Sequence, residues 1–286
     1  MRTVVVTIDV EPDYPPILGD SRIGVEEALP RIFYLLRSEG IPANVFLLAD
    51  LCNFYPSLAK EIVDKGFHLG NHGLRHRLLC IEEMPTQWRE VRESSRMLEE
   101  TSGRKMSTFR APNFSVDGDT LMCLERANYH IDSSVLPGRK LRRGLLGHAY
   151  DFTGAPTSPY HASVAGAKKH GASPVLEIPV TENPLARQTP IGGGFLNTYG
   201  SDKAMEAVRL AEGAVVVLVF HPWEFVNLSE KHPKLPSWTR AGCRDNFQAL
   251  SEFLGKLKAD GCKFSTLEEI AESYQKIHAE KTSTAL

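Results

Sequence analysis

Residues 67–76 read FHLGNHGLRH, and this segment is the best guide to the fold and chemistry of the chain. It opens with a short apolar run that is typical of a strand end, and two histidines, His72 and His76, follow. If the residues after Asn71 form a helix, side chains four positions apart lie on one face. Two imidazoles placed in this way can bind one divalent metal ion, such as zinc, iron, cobalt or nickel. Two ligands do not complete a site, so we expect a carboxylate from elsewhere in the chain.

The first strand of the chain offers that carboxylate. Val4–Ile8 is a continuous β-branched run, which is typical of a strand buried on both faces. Asp9, Val10 and Glu11 follow it directly, ahead of a proline. Because successive strand side chains point to opposite faces, we expect Asp9 and Glu11 to point the same way.

Composition excludes several classes of protein. The chain has 286 residues, with 33 Lys and Arg against 35 Asp and Glu, so bulk charge does not favour binding to nucleic acid or to an anionic membrane. Its five cysteines are odd in number and form no CxxC pair, which indicates a reduced protein. The apolar run at Val4–Val6 is too short for a signal peptide, and no apolar stretch is long enough to span a bilayer. We therefore predict a cytoplasmic protein without a transmembrane segment. The sequence makes no prediction of its oligomeric state.

Apolar strands alternate with amphipathic helices along most of the chain. The predicted strands are 4–8, 43–48, 67–70, 107–109, a strand leading into a loop at 129–134, 175–180, 214–220 and 264–267. The predicted helices are 24–39, 56–65, 86–101, 117–127 with Asp117 as N-cap, 201–211, 245–259 and a last helix that ends near 277. This alternation predicts parallel βαβ units, and either a (β/α) barrel or a doubly wound sheet accommodates them.

Polar side chains at the ends of successive strands favour the barrel. In a (β/α) barrel the loops after the strands converge on one mouth, where the chemistry takes place. We predict one catalytic domain over 1–278, with an irregular insertion at 138–174 and a flexible tail at 279–286. We also expect a flexible glycine loop at 192–194 and a buried structural role for His68. The polar groups that follow predicted strands are Asp9, Glu11, His72, His76, Arg110 and His221.

Four motifs in the same order resemble the polysaccharide deacetylases with NodB homology, also called carbohydrate esterase family 4. Thr7–Glu11 stands where that family has T-F-D-D, and His68–His76 resembles its G-x-H-[ST]-x-x-H motif. Phe109–Pro112 matches its R-x-P motif, and Leu218–His221 matches its late strand that ends in a histidine. The resemblance extends from Thr7 to about Leu267 and implies an α/β fold, a distorted (β/α) barrel with about seven strand–helix units.

The first motif departs from the family pattern. Val10 stands at the second Asp of T-F-D-D, which is usually a metal ligand, and Glu11 follows it. Since Asp9 and Glu11 share one side of the strand, Glu11 is the expected ligand, with Asp13 or a water as the alternative. A D-x-[DE] pattern is similar to that of relatives that act on small amides or lipid-linked sugars. The resemblance therefore implies a metal site formed by Glu11, His72 and His76. One divalent ion, zinc first and cobalt, nickel or iron as alternatives, is the implied cofactor.

The resemblance also implies catalytic roles. Asp9 would be the general base that takes a proton from water, and Arg110 would pair with it and hold it ionised. His221 would be the general acid that protonates the leaving amine, since histidine titrates near neutral pH. The candidates for contact with the substrate are Pro112, Asn113 and Trp223.

Three functions are compatible with the sequence. The first is a metal-dependent hydrolase that removes an N-acetyl or N-formyl group from an amino sugar, an oligosaccharide or a lipid-linked sugar precursor. The second is an amidohydrolase for a cyclic imide or ureide, which predicts a small closed pocket. The third is a non-catalytic carbohydrate-binding relative, which the joint presence of all the catalytic side chains disfavours.

Overall fold

The computed structural model describes residues 2–142, 148–233, 235–236 and 239–284. The described residues contain twelve strands, and those of the central parallel sheet follow the apolar runs of the sequence. In chain order they are β1 (Thr3–Val10), β2 (Ala43–Leu47), β3 (His68–Asn71), β4 (Thr108–Phe109), β5 (Ile131–Asp132), β6 (Lys140–Arg142), β7 (His148–Asp151), β8 (Tyr160–Ser163), β9 (Gly166–His170), β10 (Leu176–Glu177), β11 (Val215–Phe220) and β12 (Lys263–Ser265).

In the same part of the chain, eight α-helices lie between and after these strands. Asp117 is the N-cap of the fourth helix, as predicted, because its side chain accepts a hydrogen bond from Thr120 N (2.9 Å). In chain order they are α1 (Leu29–Ser38), α2 (Leu58–Asp64), α3 (Met84–Ser102), α4 (Gly118–Arg126), α5 (Gly193–Leu210), α6 (Leu228–Lys231), α7 (Phe247–Ala259) and α8 (Leu267–Thr284).

Strand β1 pairs with three other strands, β11, β12 and β2, and is buried on both faces. It pairs in parallel with β11 along one edge, from Thr3 opposite Val215 to Ile8 opposite Phe220. Its other edge is shared, since β12 pairs with Thr3–Val5 and β2 pairs with Val6–Val10. This central position brings the end of β1, with Asp9 and Glu11, beside the ends of several other strands.

Parallel strands continue around the core and form a distorted barrel. The order β11-β1-β2-β3-β4-β5-β10 contains seven parallel strands. Residues that follow β10 contact β11 and so connect the two ends of this strand order. Val217 N donates to Thr181 Oγ1 (2.9 Å), and Gly192 pairs with Val219. The predicted distorted (β/α) barrel with about seven units is therefore confirmed. No helix within the described ranges combines the length and the hydrophobicity that a bilayer-spanning helix needs.

Several boundaries differ from the sequence-based predictions. The segment 138–174 contains strands β6 to β9, and β8 extends the main sheet by antiparallel pairing with β10. Residues 143–147 of that segment lie outside the described residues. Residues 193–194, predicted as a flexible loop, form the start of α5. Helix α8 continues to Thr284, beyond the predicted end near Ile277, because polar sequence after the last apolar contact does not by itself stop a helix.

Candidate active site

Glu11, His72 and His76 form a cluster at the carboxyl ends of β1 and β3. Glu11 Oε2 lies 2.6 Å from His76 Nε2 and 3.2 Å from His72 Nε2. One ligand atom from each of the three residues lies within 4.8 Å of the others. His72 Nδ1 lies 2.8 Å from the carbonyl oxygen of Arg110 and donates to it, which leaves the lone pair of Nε2 facing the cluster. A carboxylate with two oriented imidazoles is a donor set that fits a divalent metal ion such as zinc.

The backbone between the two histidines is a loop, so the condition of a helix after Asn71 is not met. Gly73 has a φ of +83°, and its N–H donates to Asn71 Oδ1 (2.7 Å). His76 also has a positive φ, of +51°. Left-handed residues at both positions are incompatible with a helix and turn the chain so that both rings reach Glu11. The prediction that the two histidines face one point therefore holds for a reason that spacing did not reveal.

Asp9 and Arg110 form a buried ion pair beside this cluster. Arg110 is fully buried, and its Nη1 donates to Asp9 Oδ1 (2.8 Å) and to Thr7 Oγ1 (2.6 Å). Its Nε and Nη2 donate to the carbonyl oxygen and the hydroxyl of Ser133. Hydrogen bonds to Asp9, Thr7 and Ser133 thus fix the guanidinium. Arg110 binds only Oδ1 of Asp9, and Oδ2 faces His221.

His221 lies across the site from Asp9. Its Nε2 is 3.9 Å from Asp9 Oδ2 and 3.7 Å from Glu11 Oε1. Its Nδ1 lies 3.3 Å from Glu224 Oε2. Burial lowers the pKa of the imidazole, but the carboxylates of Glu224 and Glu11 outweigh burial and raise that pKa to about 9. For Glu11 the effects have the opposite signs. Burial raises the pKa of its carboxyl group, but the surrounding imidazoles outweigh burial and hold that pKa well below its usual range.

Glu224 is a site residue that sequence reasoning missed. Besides facing the His221 ring, its Oε2 accepts a hydrogen bond from the backbone N–H of His221 (2.7 Å), and its Oε1 accepts one from Gly194 N (2.6 Å). A Cβ at Gly193 would lie 2.3 Å from Glu224 Oε2, so the absence of side chains here lets the start of α5 approach that carboxylate. The available signal was the acidic residue three positions after His221, which is typical of a capping box.

Trp223 contacts the cluster of Glu11, His72 and His76 directly. Its indole Nε1 donates to Glu11 Oε1 (3.0 Å), and its ring stacks against His221 at a centroid distance of 4.8 Å. Asn113 and Trp223 line the cavity in front of the site, whereas Pro112 is buried and is not among the described residues that line it. Asp13 lies apart from the cluster, since its carboxylate accepts hydrogen bonds from Ser21 Oγ and from the N–H groups of residues 23 and 24.

A second feature that the sequence did not reveal lies behind Arg110. Glu177 on β10 is the register partner of Asp132 on β5, and both carboxyl groups are buried. Asp132 Oδ1 accepts a hydrogen bond from Ser134 Oγ (2.5 Å), and Glu177 Oε1 accepts one from Val135 N (3.0 Å). Burial raises the pKa of Asp132 to about 6, and burial together with the neighbouring acid raises that of Glu177 well above its usual range. The two buried acids are therefore harder to ionise than free carboxyl groups.

His68 is exposed, so its predicted burial is wrong. It lies at the start of β3, where it pairs with Glu268.

A (β/α) barrel whose carboxylates and histidines meet at the carboxyl ends of its strands has the architecture of a barrel enzyme. Residues 1–131 match the family model described as polysaccharide deacetylase, and residues 133–272 match a domain of unknown function, DUF3473. Residues 1–131 hold all the candidate side chains except His221, Trp223 and Glu224. Residues 1–131 are therefore similar to the polysaccharide deacetylase family, and this match covers a little under half of the chain.

Individual relatives agree with this family. The chain is 30% identical over 126 residues to the peptidoglycan deacetylase-like protein FGM2 of Gibberella zeae, and this match covers 43% of the chain but only 36% of that relative. A Mycobacterium smegmatis protein that carries the provisional name of polysaccharide deacetylase has a similar structure, with a TM-score of 0.66 and 19% identity over 98% of this chain and 91% of that one. BA3943 of Bacillus anthracis, described as a CE4 family pseudoenzyme, has a TM-score of 0.57 and 16% identity over 94% of this chain and 65% of that one. At these identities the two structures support the fold alone.

Proposed function

We propose that the protein is a metal-dependent deacetylase that removes the N-acetyl, or N-formyl, group of an amino sugar within an oligosaccharide or a lipid-linked precursor. The observation that carries the proposal is the convergence of a carboxylate–imidazole cluster, a buried Asp–Arg pair and a histidine on one end of one cavity. The match of residues 1–131 to the family model of polysaccharide deacetylases supports the reaction class. The structurally similar BA3943 is described as a pseudoenzyme, so this similarity alone does not establish turnover.

The metal site is the first element of the proposed mechanism. Glu11, His72 and His76 would hold the ion, and zinc suits two imidazoles and a carboxylate. Such an ion supplies an acidic water and polarises the amide carbonyl. Trp223 orients Glu11 by its indole hydrogen bond, and the carbonyl of Arg110 orients His72.

Asp9 and His221 move the protons. Because Arg110 occupies Oδ1 of Asp9, the free Oδ2 accepts the proton of the attacking water. The water oxygen bonds to the amide carbon, and the bond from that carbon to nitrogen then breaks. His221 Nε2 donates a proton to the departing nitrogen, which leaves as the free amine, and the acyl group leaves as acetate or formate. Glu224 beside Nδ1 keeps the His221 ring turned so that Nε2 faces Asp9.

The size of the cavity favours a sugar substrate over a small cyclic amide. A cyclic imide or ureide predicts a small closed pocket, whereas the cavity here has a volume of about 780 Å³. Pockets of this size hold ligands much larger than one amide ring. The cavity wall also includes the aromatic residues Tyr14, Phe195, Tyr199 and Trp223, and flat rings of this kind suit the apolar faces of pyranoses.

Metal analysis combined with acetate release from N-acetylated chitooligosaccharides tests the proposal. We expect about one zinc ion per wild-type chain, retention of that metal in Asp9→Asn, and its loss in His72→Ala. Acetate release by Asp9→Asn should fall by about 10² to 10⁴-fold. His130→Ala is the matched control, because His130 is exposed. Absence of bound metal in the wild-type protein after zinc loading, or unchanged turnover by Asp9→Asn, would contradict the mechanism.

A further inference from the structure

The cavity contains a cationic side chain, Arg139, that the proposed reaction does not use. Arg139 follows β5 and is half-buried in the cavity wall, near Asn113 and Phe114. Among the cavity-lining residues that the structure describes, it is the one lysine or arginine. The metal-ligand end of the same cavity presents the carboxylates of Asp9 and Glu11. The cavity therefore carries acidic groups at its catalytic end and a positive charge elsewhere on its wall.

Neutral oxygen atoms hold the guanidinium of Arg139 in place. Its Nε donates to Tyr150 Oη (2.9 Å), and its Nη1 donates to the carbonyl oxygen of Gln188 (2.8 Å). Tyr150 is itself buried and donates to the carbonyl oxygen of Asn113 (2.6 Å). The guanidinium also lies 5.4 Å from the centroid of the Phe114 ring. Since these partners come from separate segments of the chain, the side chain is oriented before any ligand arrives.

The charge of Arg139 has no carboxylate partner in the described part of the chain. The ion pairs of that part, which extend to 4.0 Å, do not include Arg139, and its Nη2 takes part in none of the hydrogen bonds found there. The buried Arg110 is the contrasting case, because Asp9 neutralises it. An arginine that is positioned by neutral acceptors keeps a full charge and unused N–H groups, which bind the oxygens of a carboxylate or a phosphate.

We propose that Arg139 forms an anion subsite, so that the substrate is an N-acetylated amino sugar that also carries an oxyanion, a carboxylate or a phosphate. This inference rests on the proposed deacetylase function for the identity of the reacting group. The oxyanion binds at Arg139, and the acetamido group is thereby directed to the catalytic end. Repulsion between the oxyanion and the carboxylates of Asp9 and Glu11 disfavours the reversed orientation.

Acetate release from three substrates tests the subsite. The neutral probe is N,N′-diacetylchitobiose, the carboxylate probe is a hyaluronan tetrasaccharide, and the phosphate probe is N-acetylglucosamine 1-phosphate. The variants are Arg139→Gln and the charge-retaining Arg139→Lys, and Arg142→Gln is the control because it removes an exposed arginine of β6 outside the cavity wall. We expect kcat/KM of the zinc-loaded wild type to favour one anionic probe. Arg139→Gln should lower the ratio of the anionic to the neutral kcat/KM on the order of tenfold or more, mainly through KM.

The outcomes separate the subsite from the reaction. A larger loss for the hyaluronan tetrasaccharide identifies a carboxylate ligand, and a larger loss for the sugar phosphate identifies a phosphate. Equal losses on charged and neutral probes, or the same change in Arg142→Gln, overturn the subsite.

A binding measurement covers the case in which no probe releases acetate. Titration calorimetry of the zinc-loaded protein with glucuronate, glucose 1-phosphate and glucose reports on the anion alone. Preference for an anion that is lost in Arg139→Gln and partly retained in Arg139→Lys supports the subsite even if the proposed reaction fails. Binding that is the same in wild type and Arg139→Gln overturns it, and a fold comparison by circular dichroism accompanies each variant.

Discussion

The substitution Glu177→Gln tests the buried acid pair through the pH dependence of stability. In the folded protein the pKa of Asp132 is raised from 3.8 to about 6, and the pKa of Glu177 is raised well above its usual range. The folded chain therefore binds more protons than the unfolded chain once the pH exceeds about 4. Because the excess proton sits on the folded state, the free energy of unfolding falls as the pH rises through this window.

The size of the change in the free energy of unfolding follows from the size of the pKa shift. One proton changes the free energy of unfolding by about 1.4 kcal/mol per pH unit, so a shift of about two units at Asp132 corresponds to about 3 kcal/mol. Glu177→Gln removes one of the two acids and leaves an amide whose oxygen still accepts from Val135 N and whose NH₂ group can donate to the neighbouring carboxyl group of Asp132. The variant loses the contribution of Glu177, whose pKa is raised further than that of Asp132. We therefore expect it to have about the wild-type stability near pH 4 and to be more stable than wild type by at least about 1 to 3 kcal/mol at pH 7.

Urea unfolding is monitored by tryptophan fluorescence at half-unit intervals from pH 4.5 to pH 8. It gives one curve of the free energy of unfolding against pH for wild type and one for Glu177→Gln. Glu206→Gln is the matched control, since its carboxylate is exposed and pairs only with Lys203 among the described residues. The reasoning is refuted if the curves of wild type and Glu177→Gln stay parallel over this range. A stability difference that falls with rising pH would also refute it, because the sign would be reversed.

Further substitutions test other parts of the structure. His76→Ala should weaken zinc binding by at least about 10²-fold in competition with a chromogenic chelator, since it removes one of the three proposed protein ligands; unchanged affinity would exclude His76 from the site. Trp223→Phe keeps the ring but removes the hydrogen bond to Glu11, so we expect about a tenfold weaker zinc affinity in the same assay. Gly118→Ala would place a Cβ 1.9 Å from a backbone carbonyl oxygen, and we expect a loss of about 1–3 kcal/mol in urea unfolding. Gly255→Ala, within α7 and with no atom inside 4 Å, is its control and should gain about 1 kcal/mol.

The sequence alone was sufficient for the fold and for most of the candidate site. A strand that is buried on both faces needs a continuous β-branched run, and Val4–Ile8 is such a run, so β1 was predictable from local composition. Parallel strands that alternate with helices leave few topologies, and the polar residues at their ends predicted a barrel mouth. Residue type then restricted the chemistry, because imidazole and carboxylate groups can both bind divalent ions such as zinc and transfer protons.

Only the tertiary structure decided which partners these residues contact. Trp223 and Glu11 are 212 residues apart, and only the pairing of β11 with β1 brings them together. The loop that turns His72 and His76 toward Glu11 depends on a left-handed glycine rather than on helical spacing. The acids of β5 and β10 meet because those strands are neighbours in the sheet. Periodicity encodes which face of an element is buried, whereas contacts across the barrel depend on register and closure, which no local pattern of the sequence specifies.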